Sequence, residues 1–421
     1  MKNILLVGTA LMMLAPLAFA SKARLQALGE DKDGSLYISD YRNAFINPAE
    51  VNKLSNQVIF EWGDSGKTLG NASLDTDSRP KAQGGFFHTL PNGMKTGFIL
   101  GDESDVAALT RILSSNGGTS AVGFMQTADN VLDFFLAGNN NVNWGLDAYY
   151  TKSKSETTGS RYDQHSYGVR LGASKDAWSS FALVSLGADA SAPDLSNAPT
   201  YKGKLGFRIG GGYDLNNENK AFALYESYAW KQASNALTER QASFNKAVVG
   251  IGHTKKVTDS STLFAKINGE LVNIKLNAVA STVEATINRL VIPVTVGYEF
   301  TATDWLVLRG SVVQNLYGTV KDQGLAANFS TANGATIRSL AYARYGTSIN
   351  GTGGKKTINN STNVNAGMTL KFGKLELDGS IGTTDGARGV ADSATTNVTE
   401  TKAGVLALDN LMTRVGLTYT F

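Results

Sequence analysis

The chain has 421 residues, of which 45 are glycine, 7 are proline and none is cysteine. Its net charge of +3 shows no basic excess of the kind that nucleic acid selects, and without cysteine there can be no disulfide scaffold, thiolate metal site or cysteine nucleophile. With 18 Phe, 15 Tyr and 5 Trp the chain is too aromatic for intrinsic disorder.

Met1-Lys2-Asn3 is a short basic start, Ile4 to Leu17 is almost wholly apolar, and Ala18-Phe19-Ala20 places small residues at the −3 and −1 positions of a cleavage site. This pattern predicts a secretory signal peptide over residues 1–20 and export of the remainder. No later stretch approaches the roughly 18 consecutive apolar residues that a membrane helix needs. A closed β-barrel is the other structure that spans lipid, because each strand's backbone polar groups pair with its neighbours.

Residues 21–53 form an N-terminal segment without strand alternation, to be placed either in the periplasm or as a plug. From residue 54 onward, period two dominates. Val58, Phe60 and Trp62 oppose Gln57 and Glu61; Trp144, Leu146, Ala148 and Tyr150 oppose Asn143, Gly145 and Asp147. Leu290, Ile292, Val294, Val296, Tyr298 and Phe300 share a face, and Leu411, Val415, Leu417, Tyr419 and Phe421 do the same at the end of the chain. Successive strand side chains point to opposite faces, so each segment reads as a strand with one apolar face. Trp178–Ala188 and Ala221–Lys231 are less clean, with apolar residues on both faces. The predicted strands are 54–64, 82–90, 94–101, 131–138, 142–154, 162–174, 178–188, 202–215, 220–231, 244–256, 261–272, 286–300, 305–317, 361–372, 375–383 and 411–421.

Short turns rich in Asn, Asp and Gly, such as Pro91-Asn92-Gly93, Asn139-Asn140-Asn141 and Lys175-Asp176-Ala177, alternate with long connections such as 102–130, 318–360 and 384–410. The fold expected is all-β: a transmembrane antiparallel up-and-down barrel over 54–421 with about 16 strands, in the range of about 14 to 18, and long extracellular loops.

On the signal ending Ala18-Phe19-Ala20 and the last strand ending Gly416-Leu417-Thr418-Tyr419-Thr420-Phe421, the chain resembles the Gram-negative outer-membrane β-barrels. The resemblance implies residence in the cell outer membrane, contact with its lipid, and recognition of Tyr419 and Phe421 by the barrel-assembly machinery. Among the porins it resembles, homo-trimers are common. Asp40-Tyr41-Arg42-Asn43-Ala44-Phe45-Ile46-Asn47-Pro48-Ala49 carries an Asn-Pro-Ala triplet ahead of the first strand. This is similar to the fatty-acid and hydrophobic-compound transporter barrels, and it implies a plug built around Asn47, Pro48 and Ala49.

His88, His165 and His253 have no accompanying nucleophile and orienting group in the sequence, so no enzyme and no cofactor are expected. Asp31-Lys32-Asp33-Gly34-Ser35 starts like a calcium loop but lacks its later ligands, and reads as a polar turn without a metal. Gly210-Gly211-Gly212 lies within a strand and eases curvature.

The inferred inner face, taken as pore-lining, includes Lys95, Asp147, Arg170, Lys204, Arg208, Asp214, Lys266, Glu270, Glu299, Arg309, Lys371, Glu376, Asp378 and Arg414, together with Glu61. Mixed signs predict weak ion selectivity. In 102–115, Val106, Leu109, Ile112 and Leu113 fall at helical spacing. A short helix there, either folded into the lumen or packed on the rim, makes Asp102, Glu103, Asp105 and Arg111 candidates for a constriction loop. The resulting expectation is a porin-like channel for passive diffusion of small hydrophilic solutes. The alternatives are a plugged transporter of hydrophobic compounds and a structural or adhesive surface barrel.

Overall fold

The computed structural model describes residues 21–31, 33–62, 82–102, 131–157, 160–191, 193–194, 200–233, 239–277, 284–323, 354–357, 362–384 and 412–421. The predicted signal peptide, Glu103, Asp105, Arg111 and most of the long connections lie outside them.

The strands are β1 (Gln57–Trp62), β2 (Ala82–Thr89), β3 (Lys95–Asp102), β4 (Val131–Asn139), β5 (Asn143–Thr157), β6 (Ser160–Lys175), β7 (Trp178–Ser191), β8 (Thr200–Gly203), β9 (Gly206–Asp214), β10 (Asn219–Ala233), β11 (Glu239–Thr258), β12 (Ser261–Leu276), β13 (Ala285–Thr303), β14 (Leu306–Gln323), β15 (Gly354–Thr357), β16 (Thr362–Phe372), β17 (Leu375–Thr384) and β18 (Met412–Thr420). Each pairs antiparallel with its neighbours, and β1 pairs with both β2 and β18, which closes the sheet. β8 and β9 pair with the same two strands, β7 and β10, and so form one interrupted stave. β15 and β16 both pair with β14 and form another. The eighteen segments are therefore sixteen staves of a closed transmembrane barrel, one for each strand expected from the sequence.

The boundaries differ mainly at the long-loop end. β11 begins at Glu239 and β14 runs to Gln323, beyond the predicted 244 and 317. The ladder there continues as a ribbon above the apolar zone. With water on its outer face, the sequence has no reason to alternate.

The outer face shows what the alternation is for. Phe60, Leu100, Phe134, Tyr150, Leu171, Ile209, Val249, Ile267, Val296, Leu308 and Met368 are all exposed. An apolar band of this kind on a closed antiparallel sheet is the lipid contact of a membrane barrel. Aromatic and large apolar groups gather at its short-turn edge, among them Trp144, Trp178, Tyr213, Phe300, Trp305, Phe372, Tyr419 and Phe421. The first and last strands meet there, where the Phe421 N–H donates to the Asn56 carbonyl at 3.1 Å.

One irregularity lies in the wall itself. Pro293 has no N–H to donate. The β12–β13 register skips Asn268 and Gly269, and the β13–β14 register shifts between Ile292 and Pro293.

An Arg in the middle of the outer band is expected to cost about 2–4 kcal/mol, against about 0–1 kcal/mol at its edge. Unfolding of Val296→Arg and Thr286→Arg in lipid vesicles, each compared with the parent protein, tests this; equal losses would mean that the band does not meet hydrocarbon.

Candidate functional site

The interior is occupied by the N-terminal segment. Ser21 caps α1 (Lys22–Ala27), its hydroxyl accepting from the Arg24 N–H at 3.2 Å. The Asp40 carboxylate caps the 3-10 turn Tyr41–Phe45, and the Asn47 side chain caps the 3-10 turn Pro48–Lys53. Short polar side chains ahead of each helical turn satisfy backbone donors that would otherwise be stranded. Pro48 sits where its missing N–H costs nothing.

The Asn-Pro-Ala turn lies flat against the wall. A side chain at Gly145 would overlap the Pro48 carbonyl, and one at Gly172 would overlap the Asn47 carboxamide. Glycine at these facing positions of β5 and β6 leaves room for the turn to dock backbone to backbone. Beside it, Tyr41, Ala44, Phe45, Val51 and Leu54 of the segment bury against Ile59, Phe87, Ile99, Phe135 and Ala137 of β1 to β4. The Phe45 and Phe135 rings meet edge to face at 5.3 Å. This half of the lumen is a packed apolar core and departs from the uniformly wet interior that the Gly-rich, charged inner face suggested.

Charged pairs complete the seat. Arg42 is fully buried; it donates to Asp102 at 3.0 Å and lies 4.0 Å over the Phe45 ring. Asp102 reaches it through a local irregularity. The β3–β4 register shifts between Leu100 and Asp102, where Gly101 takes φ +82°, and this turns Asp102 inward. Lys22 lies 3.7 Å from the same carboxylate, and its backbone N–H donates to Glu61 at 2.6 Å. Arg24 donates to Glu299 at 2.8 Å, to the Ser39 carbonyl at 3.0 Å and to Asp40 at 3.4 Å. Burial opposes the charge on Arg24 and on Arg42, but the anionic groups around each, led by Glu299 and Asp102 respectively, together more than offset it, so both hold their protons more tightly than a free arginine. Burial pushes the Asp40 carboxyl up to about 7, against the opposing pull of Arg24 and the Arg42 N–H.

Lys95 donates to the Leu54 carbonyl, and Lys266 pairs with Glu30 of the segment. Arg170 pairs with Asp147 and with Asp133, the latter at 2.6 Å. Arg208 pairs with Glu226 at 3.0 Å, Glu270 with Arg289 at 3.0 Å, and Lys371 with Glu376 at 3.6 Å. Arg309 bridges Glu299 and Asp378. Asp214 pairs with Lys220 at 3.5 Å at the short-turn rim. Lys204, expected on the pore wall, instead lies in the gap between β8 and β9, is exposed and donates to Gln241 at 3.2 Å, because the interrupted stave does not carry its alternation through residues 204 and 205. Arg414 belongs to β18, with its side chain outside the described set. The predicted polar turn keeps Asp33 N–H on the Asp31 carboxylate at 3.2 Å. His88 stacks on Phe421, His165 lies 3.6 Å from Asp189, and His253 Nδ1 lies 2.9 Å from the Asn219 side chain.

Between the segment and β9 to β12 the packing opens into a cavity of about 170 Å³. Leu36, Tyr37 and Ile46 line it from the segment, facing Phe222, Leu224, Tyr228, Phe244 and Val248 of the wall. Its polar margin holds Glu30, Asp31, Asp33, Arg208, Glu226, Lys246, Lys266 and Glu270. Phe222, Leu224 and Tyr228 come from Ala221–Lys231, where both strand faces are apolar, whereas Phe244 and Val248 lie on the neighbouring β11. That doubled pattern was the available signal for this site.

No family model and no curated protein matches the chain. Similar solved structures include the CymD monoaromatic hydrocarbon channel, at 10% identity and a TM-score of 0.37 over 96% of this chain and 98% of that one. A Pseudomonas aeruginosa FadL homologue is similar at 11% identity and a TM-score of 0.43, over 96% and 98%. A bacterial polysaccharide outer membrane secretin is similar at 8% identity and 0.43, over 87% and 98%. At these levels the comparisons assign neither a family nor a substrate.

Replacing Arg42 by Met leaves Asp102 facing a buried apolar side chain and is expected to weaken seating of the segment by about 3–5 kcal/mol. Limited proteolysis in detergent checks this: residues 21–53 should become cleavable while the barrel stays intact. Seating should also depend on pH. A carboxyl with a pKa near 7 in the seated state and about 4 when solvated binds more proton when seated, so seating is strongest below about pH 4 and weakens as pH rises to 7. Proteolysis should therefore be faster at pH 8 than at pH 5, and Asp40→Asn should flatten that difference.

Proposed function

We propose that this protein is a plugged outer-membrane channel for small, largely apolar compounds carrying a polar group, with residues 21–53 as its gate. The observation that carries the reading is the cavity between that segment and β9 to β12. It has an aromatic and aliphatic body formed by Tyr37, Phe222, Leu224 and Phe244, and a charged margin formed by Arg208, Glu226 and Lys266. Ligand sites are commonly concave and apolar with a few placed polar groups. A volume of about 170 Å³ suits a molecule of about one aromatic ring; an engineered apolar cavity of about 150 Å³ holds benzene.

The porin-like expectation required a continuous aqueous lumen. The segment instead buries Ala23, Leu25, Leu28, Ala44, Phe45 and Val51 inside the barrel, so passage requires the segment to move or the solute to pass beside it. Short turns at one end of the barrel and long connections at the other support an orientation with the long loops outside the cell. Phe421 lies at the end of the closing strand β18, which supports its role as part of the assembly signal.

Deleting residues 21–53 should raise single-channel conductance in planar bilayers by an order of magnitude or more, and unchanged conductance would sink the gate. Leu224→Trp fills the cavity from the wall side. It should lower uptake of a small aromatic probe into proteoliposomes several-fold while leaving the folded barrel intact; undiminished uptake would place the route elsewhere.

A further inference from the structure

Outside the lumen, the wall of β10 to β14 changes character within one row of side chains. The last row of the apolar band runs Tyr225, Ala247, Leu271, Leu290 and Thr319 across five paired strands. The next row toward the long loops runs Ser227, Asn245, Asn273, Asn288 and Lys321. In the row above it, Lys275 stands between Ser243 and Thr286. Further around the wall, Lys202 and Lys231 face each other across β8 and β10. The described acidic neighbours are Glu284, 3.8 Å from Lys275, and Asp189, opposite Lys202.

The small side chains at the boundary leave a groove of about 410 Å³ on the wall, lined below by Leu271 and Leu290 and above by Asn273, Asn288 and Lys321. Asn273 donates to Asn288 within the row, and Tyr225 and Ser227 both donate to Asn245, at 3.3 and 2.9 Å. This network orients the amides along the groove. From strand spacing and rise, Lys275 and Lys321 have Cα atoms about 12 Å apart, so their ammonium groups can close on one headgroup between them.

We propose that this groove holds a phosphorylated lipid of the leaflet at the long-loop end of the barrel. The acyl chain lies on Leu271, Leu290 and Ala247. The phosphate is held by Lys275 and Lys321, with the Asn273 and Asn288 amides on the sugar or glycerol oxygens. Three observations converge on that occupant: the groove faces the membrane and not the lumen, its polarity switches at the depth where a lipid's own polarity switches, and its basic groups favour an anionic head. The site is independent of the lumen gate, and only the choice of leaflet rests on the outer-membrane reading above.

The test uses the full-length barrel in detergent micelles doped with bisphosphorylated lipid A or with the same lipid after dephosphorylation, and native mass spectrometry counts the lipid retained. The parent protein should retain the bisphosphorylated form at least tenfold better. The double variant Lys275→Gln/Lys321→Gln should lose that preference, Lys275→Arg/Lys321→Arg should keep it, and Lys152→Gln/Lys154→Gln on β5 should leave it unchanged. Millimolar inorganic phosphate should not displace the lipid, because the acyl contacts are part of the site. Heat-shifted gel mobility confirms that each variant is folded. Equal retention of the two lipids by the parent protein, or full preference in the Gln double variant, would overturn the proposal, and so would displacement by phosphate alone.

Discussion

Sixteen strands enclose more space than their own side chains can fill. A barrel of about eight strands packs its interior with wall residues, whereas one twice as wide must hold water or something else. In this chain the occupant is its own N-terminal segment, and much of the interior is organised around that fact. Glycines at 145 and 172 leave room for the Asn-Pro-Ala turn. The irregularity at Gly101 turns Asp102 inward to meet Arg42. Phe87 and Phe135 present an apolar face that a water-filled lumen would not want.

The contacts that hold the segment are of two kinds with different consequences. The aromatic patch on β1 to β4 is a dry core and anchors the Tyr41–Leu54 half. The Arg24, Glu299 and Asp40 group and the Lys22, Glu61 and Asp102 group are buried and ionisable. Such groups contribute little net stability when complete but are costly when one partner is removed. A segment held in this way has a defined seat and can be released by changing the charge of one group, in contrast to a purely apolar filler.

The barrel was largely legible in the sequence because lipid imposes a strict rule on the outer face. Leu290 to Phe300 alternates without error since every second residue meets hydrocarbon. The inner face obeys no such rule, and reading it as uniformly polar failed where the segment packs against it. The doubled apolar pattern of Ala221–Lys231 was visible, but its meaning was not: Phe222, Leu224 and Tyr228 line a cavity whose other wall is formed by residues almost two hundred positions earlier. The same holds for Asp102, whose direction depends on a one-residue shift that alternation cannot foresee. Lys204 was misplaced because an interrupted stave resets its own parity.

The segment's partners also fix an order of events. Ser21 packs against Gly416 of β18, α1 reaches Glu299 of β13, and Lys22 reaches Glu61 of β1. The first described residues of the chain thus bind a surface assembled from strands that span almost its whole length, including the final one. Loop-closure entropy makes contacts of such separation late to form. The seat of Ser21 and α1 is complete only when the last strand has joined the first, so a docked α1 is a record that the cylinder has been closed.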